Sequence, residues 1–135
     1  MDTVSPQRRS EIMARVRAKD TVPEMGVRRL VHGMGYRYRL HRRNLPGTPD
    51  LVFVGRRKVI FVHGCFWHRH TGCAAARIPK ARQEFWLAKL QGNCERDSRN
   101  VEALYDQGWN VMTVWECELK DIAQLRARIR SFLDA

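Results

Sequence analysis

At 135 residues the chain has room for one domain around one core. No apolar run approaches the roughly 20 residues needed to span a bilayer, and the opening MDTVSPQRRSE carries no apolar signal-peptide segment. The expectation is therefore a soluble, non-secreted, cytoplasmic chain whose thiols stay reduced. The formal charge is +11 and the sequence pI about 10.4, and residues 1–44 hold eleven Arg and Lys against four Asp and Glu. Such an excess can simply solubilise a surface, but it also suits a polyanion whose phosphates Arg and Lys neutralise. An anionic membrane is less well served, because no clear basic amphipathic helix stands out.

In chain order, a first helix is expected from Ser5-Pro6, a cap followed by proline at the first helical position, with Ile12, Met13 and Val16 inward. Residues 1–20 would form a basic N-terminal arm or helix that contacts DNA. A second helix starts at Thr21-Val22-Pro23-Glu24, which has the spacing of a capping box. Its stripe is Val27, Leu30, Val31 and Met34, and Gly33 and Gly35 stop it. Tyr36–His41 alternates like a half-exposed or edge strand, and Asn44–Pro49 reads as a loop. Leu51–Val54 and Val59–Val62 flank Gly55-Arg56-Arg57-Lys58 as a hairpin buried on both faces. Residues 64–80 form a loop dense in His, Cys and Gly. Gln83–Leu90 and Asn93–Gln107 read as two helices, Val111–Trp115 as a buried strand and Leu119–Leu133 as a closing amphipathic helix. The fold class that follows is α/β: a mixed sheet flanked by helices, in a single domain over 1–135.

The strongest chemical signal is Cys65-Phe66-Trp67-His68-Arg69-His70-Thr71-Gly72-Cys73. Zn²⁺ takes four N and S ligands in a tetrahedron. Cys65, His70 and Cys73 can curl around one ion, and Cys117, just past a strand, can supply the fourth ligand. A filled Cys₃His set leaves no open position, so this metal would be structural. Unligated buried thiols are the plainer alternative, and Cys94, on a helix face, is expected to be core.

Asp50, at the mouth of the apolar hairpin, is either a turn residue or a ligand for a hard cation such as Mg²⁺ that holds a phosphate. Asp97 lies on the inward stripe of its helix with Cys94, Val101 and Leu104. A carboxylate there needs a partner, which could be an Arg or a His of the 63–70 loop. His63 and His68 could move protons near neutral pH, or could be ordinary loop residues. Phe66 and Trp67 are unusual in a polar loop and could wedge into a base stack. The alternative is that they cover the sheet, which is the stronger reading for Trp86, unless its neighbour Phe85 takes the core role.

Together these residues resemble the very short patch repair (Vsr) DNA mismatch endonucleases. The resemblance spans roughly residues 5–120. It rests on Asp20-Thr21-Val22-Pro23-Glu24, Leu45-Pro46-Gly47-Thr48-Pro49-Asp50, Val62-His63-Gly64-Cys65-Phe66-Trp67-His68, Glu84-Phe85-Trp86, Glu95-Arg96-Asp97 and Val114-Trp115-Glu116-Cys117. It implies a restriction-endonuclease-like fold with a structural zinc site. It also implies Mg²⁺-dependent nicking of double-stranded DNA, 5′ of the thymine in T:G mismatches left by deamination of 5-methylcytosine. A functional link to a cytosine-5 methylase and a repair polymerase would follow, and one-strand cutting suits a monomer.

Under the resemblance Asp50 is the principal Mg²⁺ ligand and Val62 offers its backbone carbonyl. His68, supported by Asp97, activates water or assists the leaving group, and His63 lies in the same shell. Glu24 reaches the metal through water, or acts only in the helix cap. Cys65, His70, Cys73 and Cys117 bind zinc, and Phe66, Trp67 and Trp86 intercalate. The chain departs from the wider nuclease superfamily in having no acid and no Lys in Val62-His63-Gly64, so histidine chemistry must replace them. It has Val62 where the Vsr pattern can carry Thr, and it stops soon after the last helix, without a C-terminal extension. A non-catalytic zinc-stabilised DNA-binding module and a conventional restriction endonuclease are the competing readings. Dependence on Mg²⁺ and on the mismatch separates them.

Overall fold

The computed structural model describes residues 21–135. The helix expected from Ser5-Pro6 and the DNA-contacting arm over 1–20 lie outside the described residues.

Strand alternation sets the architecture. The sheet has the order β1-β2-β3-β4, formed by Arg39–Leu40, Leu51–Phe53, Lys58–His63 and Asn110–Trp115. β2 runs antiparallel to both β1 and β3, and β4 runs parallel to β3. Successive side chains point to opposite faces of a strand, so β2 and β3 divide their apolar residues between two cores. Leu51, Phe53 and Ile60 face helices α1 (Val22–Gly33) and α3 (Ile122–Asp134), where they meet Val27, Leu30, Val31, Leu125, Ile129 and Leu133. Val52, Val59 and Phe61 face the other way, onto Leu45, Leu104 and Trp109. The expected α/β class, a mixed sheet flanked by helices, is the one found.

The parallel β3–β4 pair requires a crossover, and helix α2 (Gln83–Asp106) provides it. The two helices expected here are one. Gly92 is tolerated in mid-helix at a cost of ~1 kcal/mol relative to Ala, because the packing of Leu90, Asn93 and Leu104 holds both halves. The strand expected over Tyr36–His41 pairs only through Arg39–Leu40. Tyr38 instead packs edge-on against Phe53, at 6.2 Å between centroids, and His41 turns into the left-handed region at φ 45°. The closing helix starts at Ile122 rather than Leu119: Glu116–Lys120 form a 3₁₀ turn, and Asp121 Oδ1 accepts from the Gln124 N–H at 3.2 Å. Lys58 belongs to β3 rather than to the turn.

At the head of α1, Thr21 Oγ1 accepts from the Glu24 N–H at 3.4 Å, as expected of the cap. The Glu24 carboxylate is turned inward onto Arg28 and His41.

Candidate active site and metal centres

The end of β3 brings two clusters together. The Asp50 carboxylate sits beside it, because the Val62 N–H donates to Asp50 Oδ2 at 2.7 Å. A strand residue projects its N–H and C=O to the same edge, so the Val62 carbonyl also faces Asp50. Pro46-Gly47-Thr48-Pro49 delivers the acid. Gly47 has φ +74°, and a Cβ there would meet Asn100 Nδ2 of α2 at 2.9 Å, so the loop can lie against the helix only with glycine.

Glu24, 3% exposed, enters from α1, and His41 from the end of β1. His41 Nε2 is 2.8 Å from Glu24 Oε2 and 3.9 Å from Asp50 Oδ1. Glu24, His41 and Asp50 offer ligand atoms all within 4.8 Å of one another. Burial pushes the Asp50 carboxyl up to about 7, opposed by the Val62 N–H bond and reinforced by the Glu24 charge. His41 was not singled out from the sequence. Nothing in the spacing of Arg39-Leu40-His41-Arg42-Arg43 marks one ring among cations as turning inward.

On the other side of Val62, His63 stacks on His68, with centroids 3.7 Å apart and rings 7° from parallel. His68 Nδ1 lies 2.5 Å from Asp97 Oδ2, so the inward carboxylate of α2 has a His partner rather than an Arg. His63 is 7% exposed, and burial, with the neighbouring His68, lowers it to about 4. It is therefore neutral at physiological pH. A cleft of about 140 Å³ connects both clusters, lined by Asp50, Val62, His63, His68, Asp97 and Asn100 among others.

Cys65, His70, Cys73 and Cys117 converge as expected, with ligand atoms all within 4.8 Å of one another. His70 Nδ1 is 3.7 Å from Cys65 Sγ and 3.4 Å from Cys117 Sγ. Its ring stacks on Trp115, at 4.2 Å between centroids. Burial pushes the Cys65 thiol up to about 12, while the Cys73 thiol is lowered, chiefly by the Ala75 N–H. A buried thiol of this kind ionises when a cation takes the proton's place. The donor set fits a closed four-coordinate metal centre. Cys94 stays outside it and donates to the His68 carbonyl at 3.5 Å.

Phe66, Trp67 and Trp86 form one half-buried cluster, with centroids 5.1 to 6.0 Å apart in edge contacts. They belong to neither core cluster of the sheet. The Trp67 carbonyl is held at 3.1 Å by Asn93 Nδ2 from α2. Phe85 does not take a core role: it is 45% exposed, under the Arg82 guanidinium at 4.4 Å.

The family model described as "DNA mismatch endonuclease Vsr" matches residues 1–74. The chain is 53% identical to the "Type II nicking enzyme V.XorIIP" of Xanthomonas oryzae pv. oryzae over 133 residues, covering 98% of this chain and 97% of that protein. It is 44% identical to the "DNA mismatch endonuclease Vsr" of Escherichia coli K12 over 112 residues, covering 83% and 71%. Among solved structures, the catalytic domain of the homing endonuclease I-Bth0305I matches with a TM-score of 0.59 at 22% identity, over 84% of this chain and 94% of that one. That likeness fixes the fold as restriction-endonuclease-like.

Proposed function

The chain belongs to the Vsr family of DNA mismatch endonucleases, and from that premise we propose that it nicks one strand of double-stranded DNA, in a Mg²⁺-dependent reaction, 5′ of the thymine in a T:G mismatch. Mismatches of this kind arise when 5-methylcytosine deaminates, which would link the enzyme to a cytosine-5 methylase and to repair synthesis. The observation that carries the reading is the single cleft joining Asp50 and Val62 to the His63, His68 and Asp97 group.

Asp50 Oδ1 and the Val62 carbonyl would hold Mg²⁺, with Glu24 behind them. The ion would supply positive charge against the scissile phosphate. Asp97 fixes the ring of His68 through Nδ1, leaving Nε2 to take a proton from water or give one to the leaving oxygen. His63 stays neutral and packs against that ring, positioning it without adding a second charge. The Cys₃His centre would hold Zn²⁺ and keep His68 and the aromatic cluster in place. Phe66, Trp67 and Trp86 would enter the stack beside the mispair, where unstacking costs less than at a paired step. The asymmetry of a one-strand cut suits a monomer.

The test is a nicking assay on a labelled duplex with one central T:G pair, in a panel of flanking sequences, with and without Mg²⁺ and beside the paired control. Nicking of the T strand alone, only with Mg²⁺, is expected. Equal cutting of the control would make the enzyme a conventional restriction endonuclease, and binding without cutting in every context would make the chain a DNA-binding module.

A further inference from the structure

The purely oxygen ligand set of the proposed Mg²⁺ site leaves His41 unexplained. Its backbone is left-handed at φ 45°, a conformation uncommon outside glycine but several-fold enriched for His among non-glycine residues. From there the ring turns between two carboxylates on different elements. Nε2 lies 2.8 Å from Glu24 Oε2 and 3.9 Å from Asp50 Oδ1, with the Arg28 guanidinium at 3.4 Å. Arg28 pairs with Glu24 in turn, so one of the two acids is already charge-balanced. The Val62 N–H occupies Asp50 Oδ2, which leaves Oδ1 for the interior of the cluster.

We propose that His41 is an inner-sphere nitrogen ligand of the catalytic cation, and that the Glu24–His41–Asp50 site therefore prefers Mn²⁺ to Mg²⁺. An ion bound there would replace the 2.8 Å contact between His41 Nε2 and Glu24 Oε2, with both atoms turned to it as ligands. Mg²⁺ keeps to oxygen ligands and to its waters. Imidazole nitrogen suits the first-row transition ions Fe, Ni, Cu and Zn. Mn²⁺, the first of that series, shares with Mg²⁺ the use of carboxylate and carbonyl oxygen, so a mixed N and O site favours Mn²⁺ over Mg²⁺. The inference rests on the reading that a divalent cation binds at Asp50.

Binding to the zinc-loaded, DNA-free protein tests it, with Mn²⁺ followed by EPR and Mg²⁺ by competition. His41→Gln is expected to weaken Mn²⁺ by at least about tenfold, since losing even an outer-shell partner of a ligand costs that much, and Mg²⁺ by less than about twofold. The nitrogen modulation of the Mn²⁺ spin echo should disappear in His41→Gln and survive in His68→Gln. Asp50→Asn is the control for the parent reading. If Asp50→Asn abolishes Mn²⁺ binding while His41→Gln leaves its affinity and nitrogen modulation unchanged, His41 is no ligand and the cation site stands without it. If Asp50→Asn binds Mn²⁺ as the parent does, or neither binds, the cation site itself is wrong and the inference falls with it. Should His41→Gln fail to fold, His41→Asn, which tolerates the same φ, carries the same comparison.

Discussion

Asp50 and His63 pull the pH dependence of the metal-free fold in opposite directions. Asp50 titrates near 3.8 when unfolded and about 7 when folded. Its contribution is present in full below 3.8 and is lost as pH rises through 7. His63 moves from 6.5 down to about 4. Its contribution is present above 6.5 and is lost as pH falls through 4. Asp50→Asn keeps an acceptor for the Val62 N–H but removes the buried charge. At pH 8, without metal, it should melt higher than the parent, by roughly 1–3 kcal/mol, and Mg²⁺ should no longer raise its melting temperature while nicking is abolished. A lower melting temperature at pH 8 would show that the ionised carboxylate is at home there without a cation. The His68–Asp97 pair makes a second prediction. His68→Ala should slow single-turnover nicking by about 10²–10⁴-fold. Asp97→Asn should slow it less, and the double variant should be no slower than His68→Ala, as expected of an acid that acts through the ring it holds at 2.5 Å. Additive losses would give Asp97 a separate task. Asp97 was legible as an inward carboxylate from the helical repeat alone, and the strand endpoints of Asp50 and His63 from the apolar runs around them. The inward turn of His41 was not, since it depends on a positive φ that no local pattern announces.

At the scale of elements, the start of β3 holds the end of α3. Lys58, 7% exposed, donates from Nζ to the carbonyls of Phe132 (2.6 Å), Leu133 (3.2 Å) and Ala135 (2.9 Å). Arg56 adds a bond of 2.8 Å to Leu133. The last carbonyls of a helix have no partners within it, and a cation there also complements the helix dipole. Lys58→Met keeps most of the packed stem but abandons those carbonyls, so denaturant melts should show a loss of about 2–4 kcal/mol. Arg56→Ala, more exposed, should lose under about 1 kcal/mol. Equal effects would deny the buried ammonium its capping role. The sequence placed Lys58 in a turn, because Lys58 closes the run of three cations that follows Gly55. The apolar alternation that marks a strand is silent about a charged residue whose partners lie some 75 positions away. The merging of the two expected helices into α2 has a similar cause: Gly92 weakens the local helical signal, and only contacts from the sheet and the 64–80 loop outweigh it.

Over the whole molecule, the Cys₃His cluster is the bond between the loop that carries Phe66, Trp67 and His68 and the sheet that carries Asp50. Three of its residues lie within the loop, and Cys117 follows β4. Outside that cluster, the loop's links to the rest of the chain include the Asn93–Trp67 bond, the weak Cys94–His68 contact and the His68–Asp97 pair. The sheet has its own cores on both faces and does not need the loop to bury them. Under the proposal that this cluster holds Zn²⁺, loss of the metal should therefore free the loop first and leave most of the sheet folded. Cys117→Ala is expected to lose bound zinc, to become sensitive to trypsin at Arg69, Arg77, Lys80 and Arg82, and to lose nicking while keeping most of its far-UV signal. Cys94→Ala, whose thiol lies outside the cluster, should keep its zinc and its resistance. A strong chelator should reproduce the Cys117→Ala pattern in the parent, because metal binding and the ordering of these ligands are one equilibrium. If chelation instead unfolded the whole chain in a single transition, the metal would be holding the sheet as well as the loop. The active site would then be assembled by global folding rather than by one clamp joining two halves.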